Sequence, residues 1–462
     1  MQLVTRAAVF FLWCFVFSLP WDVVIDLPAL GSIPRIVGLV ASAVGIVYIV
    51  ARRRFRELTW FHVFAVLFVL WSGVTSFWSI DPAATWTRFI TYIQLVVMVW
   101  LIWEVAWTSE RRRGLLQAYV LGAGAAALAT IQNYLSGVAH AGKVTAEGQG
   151  YRFAGLNQDP NELGVILGIA LPMAWYLGLG QPQRRLSWIW RLYIPVGLTA
   201  ILLTASRAAL VTALVALSLV PWTLGRLRLR TKVIVSVLAV ASVALAITFV
   251  PAASLERLQT LRADIEAGYF GGRIYIWQAG WEVAKQHALL GVGAGNFGLA
   301  IAPTLHREMA SHQAFLEILV EQGVVGLILF LAMVTAVVKP LRHLPDIHRR
   351  LSLVLLATLA VGSLTLHLGY RKPVWFVLGL VAAQIGERRP RRTSPSDRYE
   401  ADAGEPGSWS PVLDRRETTA AVVSASARQS RGSGAASRVP HSLRDDTTRW
   451  PPPERGPSSV TR

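Results

Sequence analysis

AFLEILVEQGVVGLILFLAMVTAVV, residues 314–338, contains two carboxylates, Glu317 and Glu321, and no other charge. A helix needs about 20 mostly apolar residues to cross the ~30 Å hydrocarbon core of a bilayer, and this run is long enough. Ser311-His312-Gln313 precedes it and Lys339-Pro340-Leu341-Arg342 follows, so its two ends differ in charge. Apolar runs of roughly 16–25 residues recur through the first 386 positions. They place spans near 7–20, 36–51, 59–77, 89–107, 114–135, 163–180, 188–205, 207–224, 231–250, 314–338, 351–369 and 373–386. The expected fold is all-α: a polytopic helical membrane protein with about 12 transmembrane helices over residues 1–386.

Composition agrees. Of 462 residues, 53% are hydrophobic and only 16% charged, where a soluble domain carries about 25% charge. A net charge of +18 could suit nucleic acid, but the arginines cluster in short gaps between apolar runs and in the tail, not on one amphipathic face. That pattern is topology signal, and no nucleic-acid partner is expected. Cys14, the sole cysteine, lies in an apolar stretch, which excludes an intrachain disulfide and a cysteine-based metal site. Residues 1–19 could be a signal peptide, but Leu19-Pro20-Trp21-Asp22 has no small-x-small cleavage pattern; a retained first span is expected.

Charge alternation orients the chain. With the N-terminus inside, the cytoplasmic gaps hold Arg52-Arg53-Arg54, Arg111-Arg112-Arg113, Arg184-Arg185, Arg226 to Lys232, Lys339 to Arg350, and Arg388-Arg389. The other gaps hold Asp22, Asp26 and Asp81 with few bases. Both termini are therefore expected in the cytoplasm of a multi-pass cell-membrane protein. Two external gaps are long, about 136–162 and 251–312, and long loops tend to carry function. In the second, Ile274, Trp277, Trp281 and Ala284 recur at helical spacing, which suits a helix in the membrane interface or one packed on the bundle. From Glu387 to Arg462 the chain turns to Arg, Ser, Pro, Gly and acidic residues, too polar to bury a core; a disordered cytoplasmic tail that touches anionic lipid through its first arginines is expected.

A few bases remain on the external side against the trend, among them Arg88, Arg152, Arg207, Arg273, Arg371 and Lys372. Arg207, in Thr204-Ala-Ser206-Arg207-Ala, is the polar point between two apolar runs, where arginine is costly unless it meets an anion or a carboxylate. Arg152 opens Arg152-Phe-Ala-Gly155, followed by Asp159-Pro160-Asn161-Glu162: a structured re-entry, or simply a capped helix entrance. Arg273 follows Gly271-Gly272 at a helix start, where it could hold phosphate or be a solvated first-turn charge. His312 ends the large loop, with Glu317 and Glu321 four residues apart on one face of the next helix; the combination suggests a general base, with a structural histidine as the alternative. Gly291-Val-Gly293-Ala-Gly295-Asn296 is either a turn or a nest of N–H groups for an anion. No motif indicates a metal or a nucleotide cofactor.

These segments also resemble, in order, the O-antigen ligase and polymerase superfamily of envelope polysaccharide enzymes. The matching pieces are Arg152-Phe-Ala-Gly155 with Asp159-Pro160-Asn161-Glu162, Leu203-Thr-Ala-Ser206-Arg207, Gly272-Arg273-Ile-Tyr-Ile-Trp277, Leu290-Gly-Val-Gly293-Ala-Gly-Asn296-Phe297, and His312-Gln-Ala-Phe-Leu316-Glu317 with Glu321-Gln-Gly323, across residues 140–340. Gln313 departs from the asparagine common there. The resemblance implies a polyprenyl-pyrophosphate-linked glycan donor, a glycan or lipid acceptor, and metal-independent, inverting transfer at the external membrane face without a cofactor. On that basis Arg152, Arg207 and Arg273 would clamp the pyrophosphate and His312 would take the acceptor proton. Glu317 would orient or replace His312, with Asp159, Asn161 and Glu321 in support. A flippase or transporter, a carboxylate-dependent glycosyltransferase using Asp22 or Asp26, and a peptidoglycan polymerase remain alternatives.

Overall fold

The computed structural model describes residues 1–21, 26–27, 31–138, 152–155, 158–179, 187–225, 272–367 and 369–386, with isolated positions between 229 and 240. The expected span 231–250, the side chains of Asp22 and Asp26, most of the 251–312 loop before Gly272, and the tail from 387 lie outside them.

Among the described residues the regular structure is helical, apart from a two-residue antiparallel pairing of Asp26–Leu27 with Gly31–Ser32. In chain order the helices that matter here are α1 (Gln2–Ser18), α2 (Ile33–Arg52), α3 (Trp60–Val74), α4 (Pro82–Val105), α5 (Ser109–Leu135), α6 (Pro160–Leu179), α7 (Ser187–Leu203), α8 (Arg207–Leu217), α9 (Leu219–Leu224), α10 (Arg273–Gln286), α11 (Phe297–Leu305), α12 (Ala314–Val338), α13 (Asp346–Ser363) and α14 (Lys372–Gly386). Among the described residues, eight helical stretches are long and apolar enough to cross a membrane, and α7 and α14 are shorter apolar helices. This is a polytopic helical membrane protein. Every expected span that falls on described residues coincides with a helix.

The helices begin where capping chemistry allows. Asp81 accepts from the N–H groups of Ala83 and Ala84 at 2.9 and 3.2 Å, with Pro82 in the first turn. Thr108 caps α5 and Ser206 caps α8 in the same way. The most enclosed long helix is α6, with 83% of its apolar window buried, against 28% for α2. It packs among α5, α7 and α8. Packed chiefly on α4, α14 buries Trp375 and Phe376; Phe376 stacks on Tyr119 at 5.2 Å. Lipid tails offer helices no hydrophobic drive to associate, so close side-chain packing of this kind must hold the bundle together.

One expected span is not continuous. Gly323, at φ 67° and ψ −170°, splits α12 into two helical halves. Residues 288–293 lie beside the break: Val292 N–H donates to Val320 O at 3.0 Å, Gly293 N–H to Glu321 O at 2.9 Å, and Val324 N–H to Ala288 O at 2.8 Å. The indole of Trp71 donates to Gln322 O at 2.9 Å. Backbone groups freed inside a bilayer need partners, and this loop and indole supply them. Gly323 has to be glycine here, because any Cβ would collide with the Leu289 carbonyl.

Candidate functional site

The segments singled out in the sequence meet at one end of the bundle, and each is held there by local structure. Asp159 caps α6, accepting from Asn161 N–H at 2.8 Å and Glu162 N–H at 3.3 Å, with Pro160 in the first turn. That is the capped helix entrance foreseen as the simpler reading. The side chain of Asn161 then accepts from Arg152 Nη2 at 2.7 Å, and Arg152 Nε donates to Thr204 O at 2.9 Å. Phe153 N–H reaches Leu203 O at 3.0 Å. Arg152 thus joins the start of α6 to the Thr204–Ser206 turn, after which Arg207 opens α8.

Arg273 opens α10, and Asp159 is the charge that acts on it. Burial lowers its guanidinium from the usual value and Asp159 opposes that shift; an arginine so placed still remains cationic. The helix α10 packs on the bundle through Ile276, Ala279, Gly280 and Ala284, against Phe297, Ile301 and Val320. Tyr275 and Trp281 face away. The buried stripe therefore differs from the expected Ile274–Trp277–Trp281–Ala284, because the small residues Ala279 and Gly280 admit the Phe297 ring more closely than Trp281 could. Trp277 is partly buried and donates to Ser311 O at 3.0 Å, which ties α10 to the segment carrying His312.

His312 adopts φ 51°, in the left-handed region. Such a conformation costs a non-glycine residue of order 1–2 kcal/mol and persists where the surroundings enforce it, often at functional sites. It lines a cavity of about 420 Å³ together with Asp159, Glu162, Arg307, Glu308, Met309, Ala310, Leu366 and His367, a size within the usual range for ligand pockets, about 300–1,000 Å³.

Three of those residues, with Arg371, form a cluster that the sequence did not reveal. Glu162 Oε1 lies 2.9 Å from His367 Nε2 and is ion-paired with Arg371. The His367 and His312 rings meet edge to face, centroids 5.7 Å apart and planes at 68°. Glu162 was read only as part of the helix entrance, Arg371 only as a retained external base, and His367 not at all. The available signal was His367-Leu-Gly-Tyr370-Arg371-Lys372, a polar turn between two apolar runs. Its pairing partner lies 209 residues away, too remote for any local pattern.

Glu317 and Glu321 occupy a neighbouring polar pocket. Arg88 Nη1 is 3.5 Å from Glu317 Oε1 and 3.7 Å from Glu321 Oε2. Phe297 N–H donates to Glu321 at 3.3 Å. The Arg88 guanidinium lies 3.6 Å from the centre of the Tyr370 ring, with Arg371 5.1 Å from it. Burial pushes the Tyr370 hydroxyl up to about 12, so it is a neutral phenol at physiological pH. Glu317 and Glu321 are thus absorbed by an arginine the sequence did not single out, and neither lines the cavity.

The glycine run is likewise occupied by structure: Gly291, Gly293 and Gly295 all have positive φ. At Gly293 (φ 103°) a side chain would strike Ser79. The N–H groups of Val292, Gly293 and Ala294 are spent on Val320, Glu321 and Thr75. Its turn reading therefore holds for these three amides, while the N–H groups of Gly295 and Phe297 meet the Glu321 carboxylate. No group of three or more His, Cys, Asp or Glu side chains suited to a metal occurs among the described residues.

The fold and site thus define a membrane-embedded protein with a polar, histidine-containing cavity at one end of its bundle. Residues 192–331 match the family model described as O-antigen ligase. The chain is also similar to the exopolysaccharide production protein ExoQ of Rhizobium meliloti (strain 1021), 27% identical over 301 residues. That alignment covers 60% of this chain and 65% of the relative's length. The chain is thus similar, over part of its length, to O-antigen ligases and to an exopolysaccharide production protein.

Proposed function

We propose that the protein transfers a polyprenyl-pyrophosphate-linked oligo- or polysaccharide to an acceptor hydroxyl at the external face of the cell membrane. The observation that carries this reading is the linkage of the 152–162, 204–207, 273–277 and 312 segments at one end of the bundle, with Asp159, Glu162 and His312 in the wall of one cavity. In this mechanism the acceptor oxygen attacks the anomeric carbon from the face opposite the leaving group, giving inversion. His312 takes the hydroxyl proton as the new C–O bond forms. The bond to the lipid pyrophosphate breaks, and the leaving group departs with its electron pair. Arg152, Arg207 and Arg273 stabilise the charge that develops there, where other enzymes would use a divalent ion. Asn161 holds Arg152 and the charge of Asp159 favours the Arg273 cation; Glu317 and Glu321 act structurally, through Arg88. The partners are the lipid-linked glycan, a glycan or lipid acceptor, and membrane lipid, with no cofactor.

Deleting the gene and resolving envelope glycans on a gel tests this directly. Loss of polymer with single repeats remaining identifies a polymerase; accumulation of long lipid-linked chains identifies a ligase; an unchanged profile overturns the proposal. Reporter fusions test the sidedness: positions Gln183, Arg228 and His343 should report cytoplasm, and Gly148 and Ala263 the outside. An outside signal at Arg228 would move the cavity to the wrong face. Transfer should also continue in EDTA; rescue of lost activity by magnesium or manganese would favour the carboxylate-dependent alternative and Asp22 or Asp26.

A further inference from the structure

The cluster Glu162–His367–Arg371 has a geometry that cavity-lining alone does not require. His367 Nε2 is 2.9 Å from Glu162 Oε1 and 3.1 Å from Arg371 Nη2. Arg371 donates to that same carboxylate oxygen, so the proton on Nε2 belongs to the shorter contact with Glu162. Nδ1 is then the lone-pair nitrogen; it is buried and has no hydrogen-bond partner among the described residues. A buried acceptor left open is costly. The ring that carries it packs edge to face on His312. Carboxylate–imidazole pairs of this kind fix a histidine's tautomer and favour its cationic neighbour state during proton transfer.

We propose that Glu162, His367 and Arg371 form a positioning array for His312, in which the carboxylate fixes the tautomer of His367 and turns its Nδ1 lone pair toward the imidazole that receives the acceptor proton. This rests on the reading of His312 as the base. As the hydroxyl proton moves to His312, the imidazolium forms beside the Glu162 carboxylate and the open Nδ1, which stabilise it; the proton then leaves to water through the cavity. The charged and titratable groups facing His312 are Asp159 and Glu162 from the start of α6, Arg307 and Glu308 after α11, and His367 and Arg371 from the turn before α14. Of these, Glu162 is the carboxylate coupled directly to the second imidazole. Removing its negative charge makes the imidazolium less favourable, so the base loses its proton at lower pH.

The test uses the full-length protein in lipid nanodiscs with a lipid-linked glycan and a hydroxyl acceptor. Glu162→Gln should lower kcat by ~10–100-fold, the scale of a lost orienting partner, with donor KM within about twofold. Its rise of activity with pH should shift to lower pH. His367→Asn, which can keep an oxygen near the Nδ1 position, should retain more kcat than His367→Gln, which keeps only the contact with Glu162. His312→Ala is measured alongside. If it is inactive while Glu162→Gln and His367→Gln match wild type in kcat and pH profile, the array is overturned and the base survives. If His312→Ala turns over normally, the base reading fails with it. Should Glu162→Gln fail to insert, His367→Gln, which leaves the Glu162–Arg371 pair intact, decides the outcome alone.

Discussion

Arginine does different work at the two ends of this bundle. At the end rich in bases, Arg111, Arg112 and Arg113 go to backbone carbonyls, while Arg349 and Arg350 pair with Asp346. Arg111 donates to Val105 O at 3.0 Å and Arg112 to Trp107 O at 2.9 Å, just past the end of α4. Arg113 donates to Leu177 O at 3.0 Å in the last turn of α6. The last carbonyls of a helix have no partner within it and carry partial negative charge, so these contacts finish the helices. At the cavity end Arg371 meets Glu162, Arg88 meets Glu317 and Glu321, and Arg152 meets Asn161 as well as the Thr204 carbonyl. A side-chain partner can be exchanged for a ligand's oxygen, whereas a helix-ending carbonyl cannot leave without fraying its helix. The difference sets Arg111, Arg112 and Arg113, which finish helices, apart from Arg88, Arg152 and Arg371, whose side-chain partners can be exchanged.

The largest expected effect lies at the cavity end. His312→Ala should lower turnover by roughly 10²–10⁴-fold while donor binding barely changes, as for a lost general base. Single-turnover rates alongside donor affinity measure the two separately. Equal losses in both would make His312 a binding residue. Next comes the arginine clamp. Arg207→Lys keeps the charge but gives up the planar fork that grips two phosphate oxygens, so it should be damaged nearly as much as Arg207→Ala. Substitutions at Arg152 and Arg273 should weaken pyrophosphate binding as well. A normal Arg207→Lys enzyme would return Arg207 to the class of charges that merely sit at the interface.

Arg88 is expected to act on stability. Removing it leaves Glu317 and Glu321 buried without their cation, a change worth about 3–5 kcal/mol. Arg88→Ala should therefore unfold at markedly lower temperature in detergent, and adding Glu317→Gln and Glu321→Gln should recover much of the loss. If the triple variant is no more stable than Arg88→Ala, the buried carboxylates are not what Arg88 stabilises.

Much of this was legible in the sequence because it depends on local composition. Helices such as α6 and α12 announce themselves by apolar length, and Asp159-Pro160 by capping chemistry. The candidate residues His312, Arg152 and Arg273 were visible as polar groups misplaced for a membrane protein. Three things were hidden. The break at Gly323 needed a partner loop, residues 288–293, that no helical pattern contains. The ion pair of Glu317 with Arg88, far away in sequence, has no local signal. The Glu162–His367–Arg371 cluster joins the start of one helix to the turn before another, and only the fold brings them together.

The smallest expected effect tests the other side of the comparison. Arg113→Ala removes the guanidinium that donates to Leu177 O. A hydrogen bond made by a charged donor contributes about 1.5–3 kcal/mol, and the end of α6 can recover part of that through water at the membrane surface. A loss of about 1 kcal/mol is therefore expected, a shift of a few degrees in detergent for a protein of this size. Arg111 and Arg112 keep the positive gap between α4 and α5, so the orientation should hold. Activity per inserted molecule should match wild type, because Leu177 lies near the end of α6 opposite Glu162, which faces the cavity. A tenfold fall in turnover at normal abundance would show that the two ends are coupled through α6. The division between arginines that finish helices and arginines with exchangeable partners would then not hold.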